Sequence, residues 1–524
     1  MSVGVDPIVF AASLLILFLS WKLLTRTKPF LPPGPRPLPI IGNALLWPND
    51  SLAYHLEPWR KRFGDIIRLV VLGKPVVFLT SHKDASALFD KRGSIYSNRP
   101  PLTMVRECCE ASRMVPRYGA ESRVPRKMMK EILKPSSLAA YDTILKDENL
   151  KLLTGLLESP DDFPHQLRRM STSFVLRVIY GYKMASDDDY FVKLGEKGVQ
   201  IFERACVGAW AVNFFPSLRF LPGWLPGVQF KRTASQWRET LKEWREAPYQ
   251  FTKSQLAEGE ANHSFVADLL EYRQFLLDDE EYEEAVKFAA VTLYGGGADT
   301  FVASMWSFIL AMTLHPEIQK KAQAEIDGVT RGERLPDFSD LKFMPFVEAV
   351  FQETLRWGCP VTLSLPHFVD VDDEYKGYII EKKTTIVGSL WHFLNDTSLY
   401  QNPERFDPTR FSERNECLAS AFAFSVGRRR CPAAHLAEKT IRLNIARVLA
   451  TFDIRPPLNA KGDEVMPEVV WNKDVIRHPQ RFNCRILPRS KDTLRLIQRE
   501  LAGIEKSSLR VPETAPSSSF SPTC

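Results

Sequence analysis

No Ser/Gly-rich linker or internal repeat divides residues 45–490, so that whole stretch reads as one body. Apolar residues recur at helical spacing over 135–260 and 280–330, with few turn clusters between them. Strand signals are short: Ile66–Leu72 with Val76–Leu79, Tyr378–Ile380 with Thr384–Val387, and Phe482–Ile486. The pattern predicts a mostly α (α+β) fold, one large helical domain carrying small sheets. The 33 Phe and 11 Trp suffice for a large core and for an apolar ligand site within it.

Both ends differ from this body. Pro7–Trp21 carries no charge, and extending it to Val3 and Leu24 reaches the roughly 20 residues that span a bilayer, with Lys22 snorkelling. The first charge is Asp6 and no small-residue cleavage site follows, so residues 1–28 read as an uncleaved anchor and not a signal peptide. Lys22, Arg26 and Lys28 all follow the apolar run, which puts the rest of the chain in the cytoplasm. This predicts a single-pass protein of the endoplasmic reticulum membrane. Residues 29–44 hold four Pro within six residues and read as a stiff hinge. Residues 507–524 are Ser/Pro-rich and read as a disordered tail.

Charge and cysteine usage remove other classes. A net charge of +6 is too small for a nucleic-acid binder of this size. Eight Cys without any C-x-x-C argue against a zinc module and against a disulfide scaffold.

Three motifs carry chemistry. The first is Phe424-Ser-Val-Gly427-Arg-Arg429-Arg-Cys431-Pro432-Ala433. A lone Cys is by default inert and buried. Here Pro432 suits the first position of a helix, which places the Cys431 sulfur at a helix N-terminus beside three arginines. Both features favour thiolate, and a thiolate so held can ligate haem iron. Gly427 permits a tight turn and close approach to a flat partner. The second is Gly295-Gly-Gly297-Ala298-Asp299-Thr300, inside a helical run from about Glu284 to Leu314. Three glycines favour a loop between two helices. The alternative is one long helix whose backbone approaches a ligand, bent by Thr300 bonding to the carbonyl four residues back. The third is Glu353-Thr-Leu-Arg356, an i, i+3 pair on an apolar-periodic helix.

Together these motifs, in this order over roughly residues 30–490, resemble the cytochrome P450 superfamily of haem-thiolate monooxygenases, most closely fungal microsomal members of secondary metabolism. The family loop F-x-x-G-x-R-x-C-x-G is matched from Phe424 through Gly427, Arg429 and Cys431, with Ala433 in the last place. The resemblance implies haem b with Cys431 as axial ligand and Arg429 on a propionate. It implies that Asp299 and Thr300, in the family's [AG]-G-x-[DE]-T, relay protons to bound dioxygen; Phe301 stands where Thr or Ser is usual. Glu353 and Arg356 match E-x-x-R. Their third partner is Arg410, because Asn402–Phe411 aligns as a whole with N-P-x-x-F-x-P-E-R-F, while the literal Pro403-Glu-Arg-Phe406 is displaced. The triad is expected to support the haem loop. Arg126 matches W-x-x-x-R, with Ser122 replacing the Trp, and His367 matches a cap on the other propionate.

By family position, Met104, Met114, Val302, Leu363 and Val475 line an apolar pocket. The implied function is hydroxylation or successive oxidation of a small hydrophobic molecule, terpenoid or similar, using O2. Electrons come from NADPH through a partner flavoprotein reductase, which splits the nicotinamide's electron pair. Arg123, Lys127, Lys130, Lys439 and Arg442 are candidates for its docking face. Two rival classes remain, a haem-thiolate isomerase or dehydratase not using O2, and a non-catalytic haem-binding protein. The intact Asp299-Thr300 pair favours the monooxygenase over both.

Overall fold

The computed structural model describes residues 30–508 apart from 49, 50, 209, 274 and 276. The expected anchor over 1–28 and the tail beyond 508 lie outside the described residues. Among the described residues, ten helices of thirteen or more residues dominate: α1 Ala120–Ile132, α2 Asp142–Glu158, α3 Phe163–Tyr180, α4 Tyr190–Val207, α5 Phe230–Glu258, α6 Asp279–Leu314, α7 Pro316–Thr330, α8 Pro345–Gly358, α9 Ala434–Thr451 and α10 Lys491–Ser508.

The axis of the molecule is α6. Its start is written in the sequence: the Asp278 carboxylate accepts from Glu281 N–H at 2.8 Å, and three acidic residues occupy the first turn, where the helix dipole favours them. Its end is set by Pro316, which opens α7. Past its acidic first turns α6 is mostly apolar, as a helix surrounded by others must be, with Asp299 and Thr300 as the polar interruption. It is the one described helix long and apolar enough to cross a membrane, and 67% of that apolar stretch is buried. Helix α3 lies along it, and α1, α5, α8 and α9 pack around it.

Four strands form the larger sheet in the order β1-β2-β6-β3, with β1 Ile66–Val71, β2 Lys74–Leu79, β3 His367–Phe368 and β6 Thr385–Gly388. Positive φ at Leu72 and Gly73 closes the β1–β2 hairpin in two residues, the twist that such turns favour. Two smaller pairs complete the β structure: β4 Asp373–Tyr375 with β5 Tyr378–Ile380, and β7 Phe452–Arg455 with β8 Arg485–Pro488. The expected pairing of Tyr378–Ile380 with Thr384–Val387 is therefore wrong. The β6 strand runs parallel to β2, and the two-residue Lys376-Gly377 turn, at φ +52 and +77, returns β5 onto β4.

The proline-rich segment does not swing free. Arg68 N–H donates to Pro33 O at 2.8 Å, and Asn43 exchanges bonds with Val70, so residues 30–44 are fastened to β1. At the other end α10 packs on α2 and α9 through the buried Thr493 and Ile497. The folded body thus runs past the expected limit at 490, and Ser507 and Ser508 are helical.

Candidate active site

Phe424–Cys431 is a tight loop. Cys431 N–H donates to Phe424 O at 3.0 Å, while Ser425 and Gly427 hold φ of +63 and +75. A Cβ on Gly427 would lie 2.1 Å from Phe89 O. The missing Cβ lets the loop pack directly on the Phe89–Asp90 backbone. Gly427→Ala combines a left-handed φ, costing about 1–2 kcal/mol, with a collision against a carbonyl that cannot retreat. Thermal melting of the purified protein should drop by several degrees. Gly296→Ala is the contrasting case. Its Cβ would meet nothing within 4 Å, and Ala raises helix propensity by about 1 kcal/mol, so melting should hold or rise.

Helix α9 begins at Ala434 with Ala433 as its cap, so Pro432 sits in the turn ahead of the helix and not at its first position. The Cys431 sulfur still receives the Ala433 N–H. The arginines turn elsewhere. Arg428 pairs with the Tyr118 hydroxyl, Arg429 donates to Ser97 O at 2.8 Å and Pro116 O at 2.9 Å, and Arg430 reaches Ser420 O at 3.3 Å. Burial then outweighs the Ala433 bond and the charges of Arg126 and Arg430, and pushes the thiol up. The expectation of a thiolate favoured by the chain alone is corrected: desolvation wins, and a coordinated metal ion is what would deprotonate the sulfur.

Although burial dominates its environment, Cys431 has accessible surface. Surface at such depth faces internal space. A second interruption of the core occurs on α6, where Gly295–Thr300 are all partly or wholly accessible between buried turns. Around the cysteine loop stand three guanidinium groups. Arg99 and Arg429 are 9% and 8% exposed, and no ion pair among the described residues neutralises either of them or Arg126. Burial and the charges of Arg429 and Arg126 push Arg99 down to about 9; burial and Arg126 push Arg429 down to about 10. Buried cations without anions call for a ligand that brings them. A thiol on internal space with cations beside it fits haem b, which offers iron and two carboxylates. Arg126 also donates to Arg430 O at 2.6 Å, tying α1 to the cysteine loop.

Nothing in Ser97–Pro101 singles out Arg99 in the sequence; it emerges only through its bonds to Leu365 O at 2.8 Å and Pro366 O at 2.7 Å, more than 260 residues away. His367 is 1% exposed, stacks on Phe89 at 3.9 Å and faces Tyr96 O with Nδ1 at 2.6 Å. A carbonyl only accepts, so Nδ1 carries the hydrogen. Burial and the neighbouring arginines hold the ring neutral, which leaves Nε2 a lone pair. Its Nδ1–H is thus spent on Tyr96 O, while Arg99, bonded to the carbonyls of Leu365 and Pro366 beside it, adds a cation to that side of the loop. Ser122 is buried and reaches only Gly119 O, at 3.4 Å.

Helix α6 passes through its three glycines without a break, which settles the loop-or-helix alternative. Two of them serve helix packing: a Cβ on Gly295 would stand 3.1 Å from Trp244, and one on Gly297 3.2 Å from Val175. Only Gly296 faces open space. Thr300 donates to Gly296 O at 2.9 Å, and Ser171 donates to Ala298 O at 2.6 Å. Asp299 lies 3.2 Å from His478 and 3.9 Å from Arg168. Of the expected pocket walls, Met104, Met114 and Val302 are packed into the core, Leu363 is half-buried and Val475 is exposed.

Glu353, Arg356 and Arg410 meet with side chains that are 0% exposed. Arg356 grips Glu353 with two bonds of 2.7 and 2.8 Å, and Arg410 Nε lies 3.0 Å from the same carboxylate. Glu416, which the sequence does not mark, balances the charge at 2.9 Å from Arg410. Arg405 contributes only its backbone carbonyl, and its residue is exposed. Glu353 also accepts Asp407 N–H, and Gln352 accepts Ser420 N–H, so α8 pins two points of the segment that leads to Cys431.

Residues 32–483 match the family model described as Cytochrome P450. Curated relatives align over nearly their whole length. Cytochrome P450 monooxygenase claT of Ampulloclitocybe clavipes is 37% identical over 493 residues, covering 93% of this chain and 97% of the relative. Cytochrome P450 monooxygenase ARMGADRAFT_974139 of Armillaria gallica is 35% identical over 506 residues, 94% of this chain and 98% of the relative. Cytochrome P450 monooxygenase 45 of Postia placenta is 36% identical over 483 residues, 91% of each.

Proposed function

The chain belongs to the cytochrome P450 family, and from that premise we propose a membrane-bound monooxygenase that hydroxylates, or successively oxidises, a small hydrophobic molecule of terpenoid or similar type, with NADPH electrons delivered by a flavoprotein reductase. As a member of that family the protein is an oxidoreductase whose cofactor is haem iron held by a thiolate. Cys431 would hold the iron, and Arg99, Arg126 and Arg429 the propionates. When bound, the haem supplies oxygen activation. The protein's share is to bind the substrate, keep water out and hold protons in place. The observation that supports the reading is the accessible turn Gly295–Thr300 of α6, which interrupts an otherwise mostly buried helix at Asp299 and Thr300. The rest of that turn is Gly and Ala, a surface with no polar side chain to satisfy, which suits an apolar substrate.

Thr300 is placed to present its hydroxyl to the cavity, and Asp299 to bring protons from the polar side of the helix. Thr300→Ala should keep haem content and substrate affinity, while NADPH use continues and hydrogen peroxide replaces hydroxylated product. Asp299→Asn should slow NADPH use itself, by roughly a hundredfold. The test of the reaction class is the wild-type product formed under 18O2. Product without label overturns the monooxygenase reading.

For the reductase, Arg123, Lys127 and Lys130 stand exposed on α1 and support a basic docking face. Lys439 and Arg442 do not join it, being spent on Asp142 and Glu348. The membrane reading rests on the N-terminal sequence and on Phe215, Phe220 and Trp224, large side chains 49%, 75% and 77% exposed between α4 and α5.

A further inference from the structure

His478 stands in a turn that folds back on itself. Its backbone N–H donates to Asn472 Oδ1 at 2.9 Å, Asn472 N–H donates to His478 O at 2.9 Å, and Trp471 pairs with Pro479. The ring, 11% exposed, lodges against one face of α6, edge-on to Trp306 at 5.9 Å and 3.2 Å from Asp299 Oδ1, seven residues earlier on the same face.

The hydrogen count around this ring decides what it does. Nδ1 lies 3.2 Å from Ile476 O, a carbonyl, so Nδ1 donates. The nearby Asn472 amide could not supply a hydrogen instead. Its two hydrogens go to Asp474 Oδ2 at 2.8 Å and Ile476 O at 3.1 Å, which leaves none for Nδ1 at 3.4 Å. Nε2 then faces a carboxylate oxygen. Nε2 stands 3.2 Å from Asp299 Oδ1, at ion-pair distance but without an aligned hydrogen bond in this arrangement. A proton taken up on Nε2 would make this contact an ion pair and would lie within reach of Oδ1 after a small rotation of either side chain.

We propose that His478 is the positioning residue that recharges Asp299 with protons, handing the Nε2 hydrogen to Oδ1 each time Asp299 passes one inward. In that step the Nε2–H bond breaks and an Oδ1–H bond forms, the imidazolium becoming neutral imidazole and the carboxylate becoming acid. The proton returns to Nε2 from the solvent side. The charged groups facing this pair are Glu203 on α4, Asp474 on the turn itself and Arg168 on α3, the last lying 3.9 Å from Asp299 and half exposed. Burial and the charges of Asp299 and Asp474 push the Glu203 carboxyl up, so it too is disposed to carry a proton. Glu203 and His478 thus form the polar side of a route whose inner end is Asp299.

The proposal rests on the reading of Asp299 as proton carrier, and a double-mutant cycle separates the two. His478→Gln keeps the ring's approximate size and one donor, and retention of the carbon monoxide Soret band and of the melting temperature checks that it folds. NADPH consumption in His478→Gln should fall at least tenfold, its solvent deuterium isotope effect should at least double, and His478→Gln with Asp299→Asn should be no slower than Asp299→Asn alone. Independent of turnover, 15N NMR of histidine-labelled enzyme in the diamagnetic ferrous carbon monoxide form should show both His478 nitrogens protonated in wild type at pH 7, and only Nδ1 protonated in Asp299→Asn. Normal NADPH consumption in Asp299→Asn overturns the reading of Asp299 itself. A slow Asp299→Asn beside a normal His478→Gln, multiplicative losses in the double variant, or a singly protonated wild-type ring overturns the role of His478.

Discussion

Cys431→Ser should fold, and should lose entirely the strongly red-shifted Soret band of the reduced carbon monoxide complex. The fold survives because the residue's structural duties are backbone ones: its N–H bonds Phe424 O, and a serine oxygen accepts from Ala433 N–H as the sulfur does. The band is lost because the hydroxyl is a hard, weakly acidic ligand where a soft thiolate is needed. No other described cysteine can take over. Cys431 alone among them is exposed; Cys109, Cys359 and Cys484 are buried, and burial pushes their thiols up to about 12. Absorbance of the reduced, carbon-monoxide-treated protein, normalised to haem, reads the result. A surviving band would mean that another group ligates the iron.

The contrast between what could and could not be read from the sequence follows distance along the chain. Glu353 and Arg356 are one helical turn apart, and their pairing needs only the helix that the apolar period predicts. The α6 cap at Asp278 and its end before Pro316 are equally local. The fate of the three glycines was not local. Whether a helix survives them depends on Trp244 and Val175, which press where Gly295 and Gly297 lack a Cβ. The same holds for strand pairing. Thr385–Gly388 is apolar and short, and no turn signal ties it to its neighbour in sequence; its partners are β2, some 300 residues earlier, and β3.

The site divides along the same line. Motif residues on one loop or one helix could be named in advance, but the groups that complete their electrostatics could not. Arg99 joins Arg126 and Arg429 only because the backbone of Leu365 and Pro366 captures it. Glu416 balances Arg410 through a turn of no special composition. The Tyr96 carbonyl that engages His367 Nδ1 is equally invisible in sequence. The sign of the Cys431 shift was misjudged because the loop's three arginines were counted by proximity in sequence, whereas their side chains bond elsewhere.

Arg410→Ala should collapse haem incorporation, and Arg405→Ala should barely register. Removing the Arg410 guanidinium takes one of two cations from Glu353 and leaves Glu416, 10% exposed, without its buried partner. It also frees the carbonyl of Gln401, leaves that of Arg405 to Arg356 alone, and opens a hole the size of an arginine side chain in fully buried surroundings. Breaking a buried pair by removing one partner costs about 3–5 kcal/mol, against a total stability of about 5–15 kcal/mol for a domain. The damage falls on the segment between Asp407 and Cys431, whose attachment to α8 passes through Glu353. Arg410→Lys keeps the charge but offers a single donor centre where the guanidinium bridges Glu353, Glu416 and Gln401, so it should fall between wild type and Ala. Arg405→Ala removes an exposed side chain and keeps the carbonyl that both arginines use, which places it within about 0.5 kcal/mol of wild type. Urea unfolding midpoints and haem bound per polypeptide give the ranking. Collapse in Arg405→Ala with a mild Arg410→Ala would mean that the network around Glu353 is held by the other arginine.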